Sequence, residues 1–197
     1  MLDRDVVVRA QEYLRSQPLT IDPRKMRAGG GRIPAESQAE PGRVLSFLGD
    51  GGWGGLVRDE RTAGEFSDSL ADALARLVRN WGPEPRPTWV TSVPSARAPR
   101  LVASLAERVA ERLRLPYRES VALARPTIPQ AQMENSAQQH HNVAGAFVVA
   151  AKIATGPVLL VDDVVDSRWT ITEVAGVLRA AGVDAVLPVA LAQGSGD

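Results

Sequence analysis

The stretch Val158-Leu-Leu-Val161-Asp162-Asp163-Val164-Val165-Asp166-Ser167-Arg168-Trp169-Thr170 decides the fold of this chain. A continuous apolar run before two adjacent carboxylates predicts a strand buried on both faces, as in parallel sheets. Ligands of open parallel sheets bind at the carboxyl ends of the strands. We therefore expect Asp162 and Asp163 at that edge, with a polar loop and a helix N-terminus behind them. The free N–H groups of such a terminus can hold a phosphate.

The second half of the chain alternates strand and helix patterns. Predicted strands cover 89–93, 117–122, 146–149, 158–161 and 185–190, and predicted helices cover 99–113 and 170–181. Pro99 suits the first turn of its helix, and Gly182 is suited to end the last one. This alternation predicts an α/β fold with a mostly parallel, twisted sheet and flanking helices.

The first third of the chain is less regular. Helical patterns cover 3–14 and 66–81, and glycine and proline crowd the stretch 19–64, where short elements are expected at 43–48 and 56–58. The proline-rich segment 82–87 punctuates the chain. We therefore predict a helical and glycine-rich region over 1–81, either a winged-helix remnant or a hood, before an α/β domain over 82–197.

Composition excludes several kinds of site. The 197 residues have a formal net charge of zero, two histidines and no cysteine, so disulfides and thiolate metal sites are excluded and a His-based zinc site is not expected. No apolar run reaches the ~18 residues of a membrane span, and the N-terminus lacks a signal pattern. We expect a cytoplasmic protein without a membrane partner. No Gly-x-x-x-x-Gly-Lys-Ser/Thr loop occurs, so ATP hydrolysis by that route is not expected.

The loop after the acidic pair offers several candidate ligand contacts, each with an alternative. Ser167 and Thr170 can give hydroxyls to a phosphate or cap the helix, and Asp166 can also be an N-cap. Arg168 can bind phosphate, fill the pocket or face a nucleic-acid backbone. Trp169 can stack on a base, close the pocket as an apolar lid, or pack half-buried.

A second candidate anion site follows the predicted strand at 89–93. Ser92, Ser95, Arg97 and free backbone N–H groups could hold an anion there, or the segment could be an ordinary strand-to-helix turn. The polar composition of Arg125–Gln139 is typical of a loop. His140 and His141, which follow it, lack the additional ligands that a metal site requires.

The stretch 158–170 resembles the ribose-phosphate signature of the type I phosphoribosyltransferases. The resemblance implies that Asp162 and Asp163 face the ribose hydroxyls, that the following loop holds the 5′-phosphate, and that Asp166 handles a proton as a catalytic acid or base. It also implies a pyrophosphate loop at 91–97 and a closing loop over 125–142. Mg²⁺ would arrive with phosphoribosyl pyrophosphate (PRPP), near Asp162 and Asp163. Arg168 stands where the family has glycine, and Trp169 where a small residue is usual.

Four motifs together look like one more specific group. Pro87–Ser95, Met133–Gln139, Asn142–Phe147 and Val158–Thr170 resemble the phosphoribosyltransferase-like region at the C-terminus of bacterial RecQ-type DNA helicases, and several also resemble ComF-type proteins. The resemblance implies an accessory domain in DNA repair or recombination that binds DNA or a phosphate-bearing ligand, with the helicase motor in cis or in trans. The arginines at 97, 100, 108, 112, 114 and 118 favour that interpretation. The alternative is an active transferase that uses PRPP and Mg²⁺.

Overall fold

The computed structural model describes residues 4–27, 29–125, 136–149 and 153–194. The helices are α1 Arg4–Arg15, α2 Gly54–Ala63, α3 Asp68–Trp81, α4 Pro99–Leu113, α5 Ser136–Val143 and α6 Trp169–Ala180, with a 3₁₀ turn at Ala35–Ser37. The strands are β1 Leu19–Ile21, β2 Gly42–Phe47, β3 Trp89–Ser92, β4 Val121–Leu123, β5 Phe147–Val149, β6 Val158–Val165 and β7 Val186–Gln193.

A five-stranded sheet with the order β1-β2-β7-β6-β3 forms the centre of the molecule. The four strands β2, β7, β6 and β3 run parallel, and β1 pairs antiparallel at one edge. The predicted α/β class with a mostly parallel sheet and flanking helices is therefore confirmed.

Apolar residues on the two faces of the sheet build two cores. On one face, Leu159 and Val161 of β6 pack with α2, α3 and α4, and on the other face Val158 and Leu160 pack with α6. Both faces of β6 are buried, as its continuous apolar run predicts. Helix α6 ends as expected, because Gly182 adopts a φ of 95° and the N–H of Val183 reaches the carbonyl of Leu178.

Strand β6 is longer than predicted. It continues past Val161 to Val165, because β7 goes on offering it hydrogen bonds as far as Gln193. Its other neighbour, β3, ends where Ser92 pairs with Val161. Asp162 and Asp163 therefore lie inside β6 but beyond the end of β3, where one edge of the strand is open.

Two of the other predicted strands do not join the main sheet. Strand β4 covers 121–123 instead of 117–122, and it pairs antiparallel with β5 in a separate two-stranded sheet. Tyr117 forms only an isolated bridge with Val90. The apolar content of these short runs predicted strands but could not specify the partner of each strand.

The predicted regions 1–81 and 82–197 contribute to the same sheet. Strand β2, from the first region, pairs in parallel with β7, from the second. Leu45 and Leu70 share one core with Leu159 and Leu187. The division into two domains stays a prediction, and the described residues place both regions around one sheet.

Helix α2 replaces the short element predicted at 56–58. The carboxylate of Asp50 accepts hydrogen bonds from the N–H groups of Phe47, Gly52 and Gly54 at 2.9–3.1 Å, which folds a tight turn between β2 and α2. A Cβ on Gly54 would lie 2.1 Å from the Phe47 carbonyl oxygen, so only glycine permits this approach. The turn fixes α2 beside the end of β2.

Helix α1 has no buried residue, and Val6, Val7 and Val8 are exposed. Among the helices that the structure describes, none combines the length and apolarity that a bilayer crossing requires.

Candidate functional site

A cleft of about 520 Å³ opens at the carboxyl ends of β3 and β6. Its walls come from α2, from the loop between β3 and α4, from the loop between β6 and α6, and from α5. The N-termini of α4 and α6 both lie at this cleft, so the positive ends of two helix dipoles favour an anion there. This is the edge of the sheet at which the sequence predicted a ligand.

Asp163 faces the side of the sheet that α2 covers. Its Oδ2 accepts a hydrogen bond from Arg61 Nε at 2.7 Å, and its Oδ1 accepts one from the N–H of Val164 at 2.7 Å. The side chain of Asp163 is 12% exposed, whereas that of Arg61 is 49% exposed. An arginine from the N-terminal region thus meets the carboxylate that was expected to face a ribose.

Asp162, the preceding residue of β6, lines the same cleft as Asp163. It is buried, and its Oδ1 accepts the N–H of Asp163 at 2.9 Å. Burial, followed by the negative charge of Asp163, raises the pKa of the Asp162 carboxyl well above its usual range.

Asp166, Arg168 and Thr170 line the cleft from the loop and the first turn of α6. Arg168 is the residue before the helix, with a φ of 65°, so the backbone takes the left-handed form that glycine would adopt more easily. Asp166 is not the N-cap, and its carboxylate lies against Gly194, where a Cβ would approach it to 2.1 Å. Among the described residues this carboxylate has no hydrogen-bond partner, which leaves it available to a ligand.

Ser167 and Trp169 are buried and do not line the cleft. The Ser167 carbonyl accepts a hydrogen bond from Arg24 Nε at 2.7 Å, and the same guanidinium lies 4.0 Å from the centre of the Trp169 ring. The ring of His140 lies 4.5 Å from that of Trp169. Trp169 is a packing residue that connects α6 to α5 and to the N-terminal region, so stacking on a base and closing the pocket are both inconsistent with its position.

The loop after β3 brings Ser95 and Arg97 into the cleft but not Ser92. Ser92 is buried and shares a hydrogen bond with the Tyr117 hydroxyl at 2.9 Å. Ser95 Oγ accepts the N–H of Ala98 at 3.3 Å, at the start of α4. Arg97 is exposed and has no hydrogen-bond or ion-pair partner in the described part of the chain.

Most of the helix α4 arginines bind other parts of the protein. Arg108 and Arg112 form ion pairs with Asp68 of α3, Arg112 also pairs with Asp72, and Arg100 pairs with Glu107. The hydrogen bonds and charges of Arg112 and Arg108 lower the pKa of Asp68. The predicted basic surface on α4 is thus largely neutralised by acids on α3 and on α4 itself.

Sequence reasoning missed Arg58 and Arg61, which line the cleft from α2. They lie among acids in a glycine-rich region, a pattern typical of a solvated helix, so no local signal marked them. Most of the predicted closing loop, 126–135, lies outside the described residues.

No group of three or more His, Asp or Glu residues placed to hold a metal occurs in the described ranges. Asp162 and Asp163 fit only an Mg²⁺ whose other ligands come from a bound phosphate and water, which is the usual habit of that ion.

No protein-family model matches this chain, and no curated protein matches it. Among solved structures, it is similar to an allosteric regulatory enzyme of purine biosynthesis, with 21% identity and a TM-score of 0.43 over 62% of this chain and 25% of that one. It is similar to the glutamine PRPP amidotransferase of B. subtilis, with 22% identity and a TM-score of 0.42 over 61% and 25%. It is also similar to a purine phosphoribosyltransferase from Pyrococcus horikoshii, with 21% identity and a TM-score of 0.40 over 64% of this chain and 72% of that one. The chain spans about a quarter of the first two, and likeness at this level leaves its function to be inferred from the cleft.

Proposed function

We propose that this chain binds a phosphoribosyl ligand, of which PRPP is the fullest example, in the cleft at the ends of β3 and β6. The observation that carries the proposal is that the acidic pair, the loop before α6 and the loop before α4 line one cleft of about 520 Å³. A ligand such as PRPP needs these three parts of the cleft together: acceptors for its hydroxyls, and N–H donors at its 5′-phosphate and at its pyrophosphate.

Each part of the ligand has a complementary set of groups. The 5′-phosphate takes the α6 N-terminus, with Thr170 and Arg168 beside it. The ribose hydroxyls bind at the end of β6, where the carboxyl groups of Asp162 and Asp163 lie. The pyrophosphate takes the α4 N-terminus, with Ser95 and Arg97. Each assignment follows from charge and hydrogen-bonding capacity at residues that line the cleft.

Transfer of the ribosyl group is the finer form of this proposal. An acceptor nitrogen would form a bond to C1 of the ribose while the bond from C1 to the pyrophosphate oxygen breaks, and pyrophosphate would leave with the electron pair. Asp166 lines the cleft without a partner in the described chain, so it is the residue proposed to accept the proton that the acceptor nitrogen loses. Mg²⁺ bound to the pyrophosphate would neutralise part of the leaving group's charge.

The direct test is calorimetric titration with ribose 5-phosphate and with PRPP plus Mg²⁺. We expect both to bind, and Thr170→Val to weaken ribose 5-phosphate by about tenfold, because one charge-assisted hydrogen bond contributes ~1.5 kcal/mol or more. Thr20→Val is the matched control, since Thr20 is exposed on β1 at the far edge of the sheet. If neither ribose 5-phosphate nor PRPP with Mg²⁺ binds at millimolar concentration, the proposal is refuted.

A basic hairpin favours a second candidate function, which is nucleic-acid binding as an accessory to a helicase motor. Met26 and Arg32 pair across a glycine tip, and Lys25, Arg27 and Arg32 are exposed. No acid occurs between Pro23 and Ala35. Arg24, at the base of the hairpin, binds the Ser167 carbonyl beside the cleft. The motif resemblance to RecQ-type helicases supplies the context of DNA repair.

Fluorescence anisotropy with a single-stranded and a duplex oligonucleotide across salt concentration tests this second function. Phosphate contacts predict an affinity that falls steeply with salt, and the variant K25Q/R27Q should reduce the slope by about 2. Arg76→Gln, an exposed arginine on α3, is the charge control. If neither oligonucleotide binds at low salt, the proposed nucleic-acid function is refuted, and the proposed phosphoribosyl function is unaffected.

A further inference from the structure

Helix α2 supplies two arginines to the cleft, and the proposed binding of the phosphoribosyl ligand uses neither of them. Arg58 and Arg61 lie three positions apart, on the same side of the helix, and both line the cleft. The Asp50 turn and the close approach of Gly54 to Phe47 fix the position of α2. The Asp50 turn therefore places both guanidinium groups on one wall of the cleft.

Most hydrogen-bond donors of these arginines are unused. Arg61 donates Nε–H to Asp163, and its two Nη groups have no hydrogen-bond partner within the described ranges. Arg58 donates one Nη1 hydrogen bond to the Leu48 carbonyl at 3.3 Å and makes no other among the same residues. Because a guanidinium carries five N–H donors, the pair retains capacity for an oxyanion.

Arg61 is paired with Asp163 of β6, whereas Arg58 has no ion-pair partner among the described residues. The acids of α2, Asp59 and Glu60, do not line the cleft, and Glu60 instead accepts the N–H of Ser67 at 2.7 Å. Within the described ranges, the wall therefore carries the charge of Arg58 in addition to the Arg61–Asp163 ion pair. It favours an anionic group on the ligand that faces it.

The wall already binds a carboxylate, that of Asp163, at 2.7 Å from Arg61 Nε. Apolar side chains share the cleft with the arginines, among them Leu48, Leu101 and Phe147. The helix N-termini offer separate places for phosphate groups. The ligand that best fits the wall is therefore a carboxylate carried on a compact apolar body.

We propose that Arg58 and Arg61 bind the carboxylate of a second, partly apolar ligand that shares the cleft with the phosphoribosyl ligand. The inference rests on the proposed function for the identity of that first ligand. Because Arg61 has one Nε–H, reorienting it toward the second ligand releases Asp163 for ribose hydroxyls. The two ligands should therefore bind cooperatively, and the coupling should be equal in both directions.

Benzoate and benzamide are matched probes, since they share a planar ring and differ in charge. NMR titrations of the full chain, with and without saturating ribose 5-phosphate, measure both affinities. We expect benzoate to bind at least tenfold more tightly than benzamide, and ribose 5-phosphate to strengthen benzoate binding at least threefold. The variant R58Q/R61Q should reduce the preference for benzoate to less than twofold, and Arg76→Gln should leave it unchanged.

The outcomes separate this inference from the proposed function. Equal affinity for the two probes, or a preference that survives in R58Q/R61Q, overturns the carboxylate subsite. If ribose 5-phosphate does not bind but the preference is lost in R58Q/R61Q, the subsite stands and the phosphoribosyl function falls. Arg58→Gln is the second variant, because Arg58 is exposed and loses only one long hydrogen bond, so a reduced benzoate preference there cannot come from unfolding.

Discussion

The ion pair between Arg61 and Asp163 joins the N-terminal region to the acidic end of β6, and its strength can be measured by a double-mutant cycle. At the observed 2.7 Å, Coulomb's law gives ~1.5 kcal/mol at a dielectric constant of about 80 and ~6 kcal/mol at about 20. The Arg61 side chain is 49% exposed, so water screens the pair, and we expect a value near the lower figure. We predict a coupling free energy of about 1 kcal/mol between R61Q and D163N.

The assay is urea unfolding of the wild type, R61Q, D163N and the double variant. Asp163 also raises the pKa of Asp162, so the cycle is repeated in the D162N background to remove that contribution. The coupling should fall when the salt concentration is raised to about 1 M, because a half-exposed pair is screened. A coupling below ~0.3 kcal/mol in both backgrounds would refute the view that the pair holds α2 against β6.

Three further predictions concern the acidic pair, the α6 packing and the α2 turn. The pKa of Asp162 is raised in the folded state, so the protonated carboxyl stabilises the folded protein at low pH and this contribution is lost as pH rises. The free energy of unfolding of D162N relative to the wild type, measured by urea unfolding, should therefore increase from about pH 4 upward. Trp169→Phe should lower the free energy of unfolding by about 2 kcal/mol, through lost packing and lost cation–π contact, as measured by urea unfolding. In thermal melts, Gly54→Ala should cost about 1–3 kcal/mol, since its Cβ would meet the Phe47 carbonyl oxygen, whereas Gly55→Ala should be neutral or stabilising.

Different results would contradict each of these predictions. If the difference in the free energy of unfolding between D162N and the wild type does not change with pH, Asp162 has the same pKa in the folded and unfolded states. Wild-type stability in Trp169→Phe would mean that the ring is not packed as observed. Equal effects of Ala at 54 and 55 would mean that α2 is not fixed by its close approach to β2.

The central elements were predictable because their signals are local. The run Val158–Val161 and the helical periodicity of 66–81, 99–113 and 170–181 match β6, α3, α4 and α6 within a few residues. Burial on both faces needs a continuous apolar run, and an amphipathic helix needs one apolar side, whatever lies elsewhere in the chain. Helix α2 was underestimated because its position depends on the Asp50 turn and on Gly54, which the glycine-rich sequence does not distinguish from a loop.

The candidate site was predictable in part. Asp162, Asp163, Asp166, Arg168 and Thr170 lie in one stretch of sequence, and they line one cleft because a strand end and a helix start are adjacent. Trp169 looked like a ligand contact but is packed against Arg24 and His140, residues far from it in sequence. Its burial depends on those distant partners, which a local pattern cannot name.

The order of apolar and acidic residues determined by itself that a buried strand ends in carboxylates and leads into a helix, because chain stereochemistry and burial act over a few neighbouring residues. Only the tertiary structure decided that β7 extends β6 beyond these carboxylates and that Arg61 lies 2.7 Å from Asp163. Both facts depend on contacts between segments distant in sequence. Such contacts are selected by the packing of the whole sheet, and no short stretch encodes them.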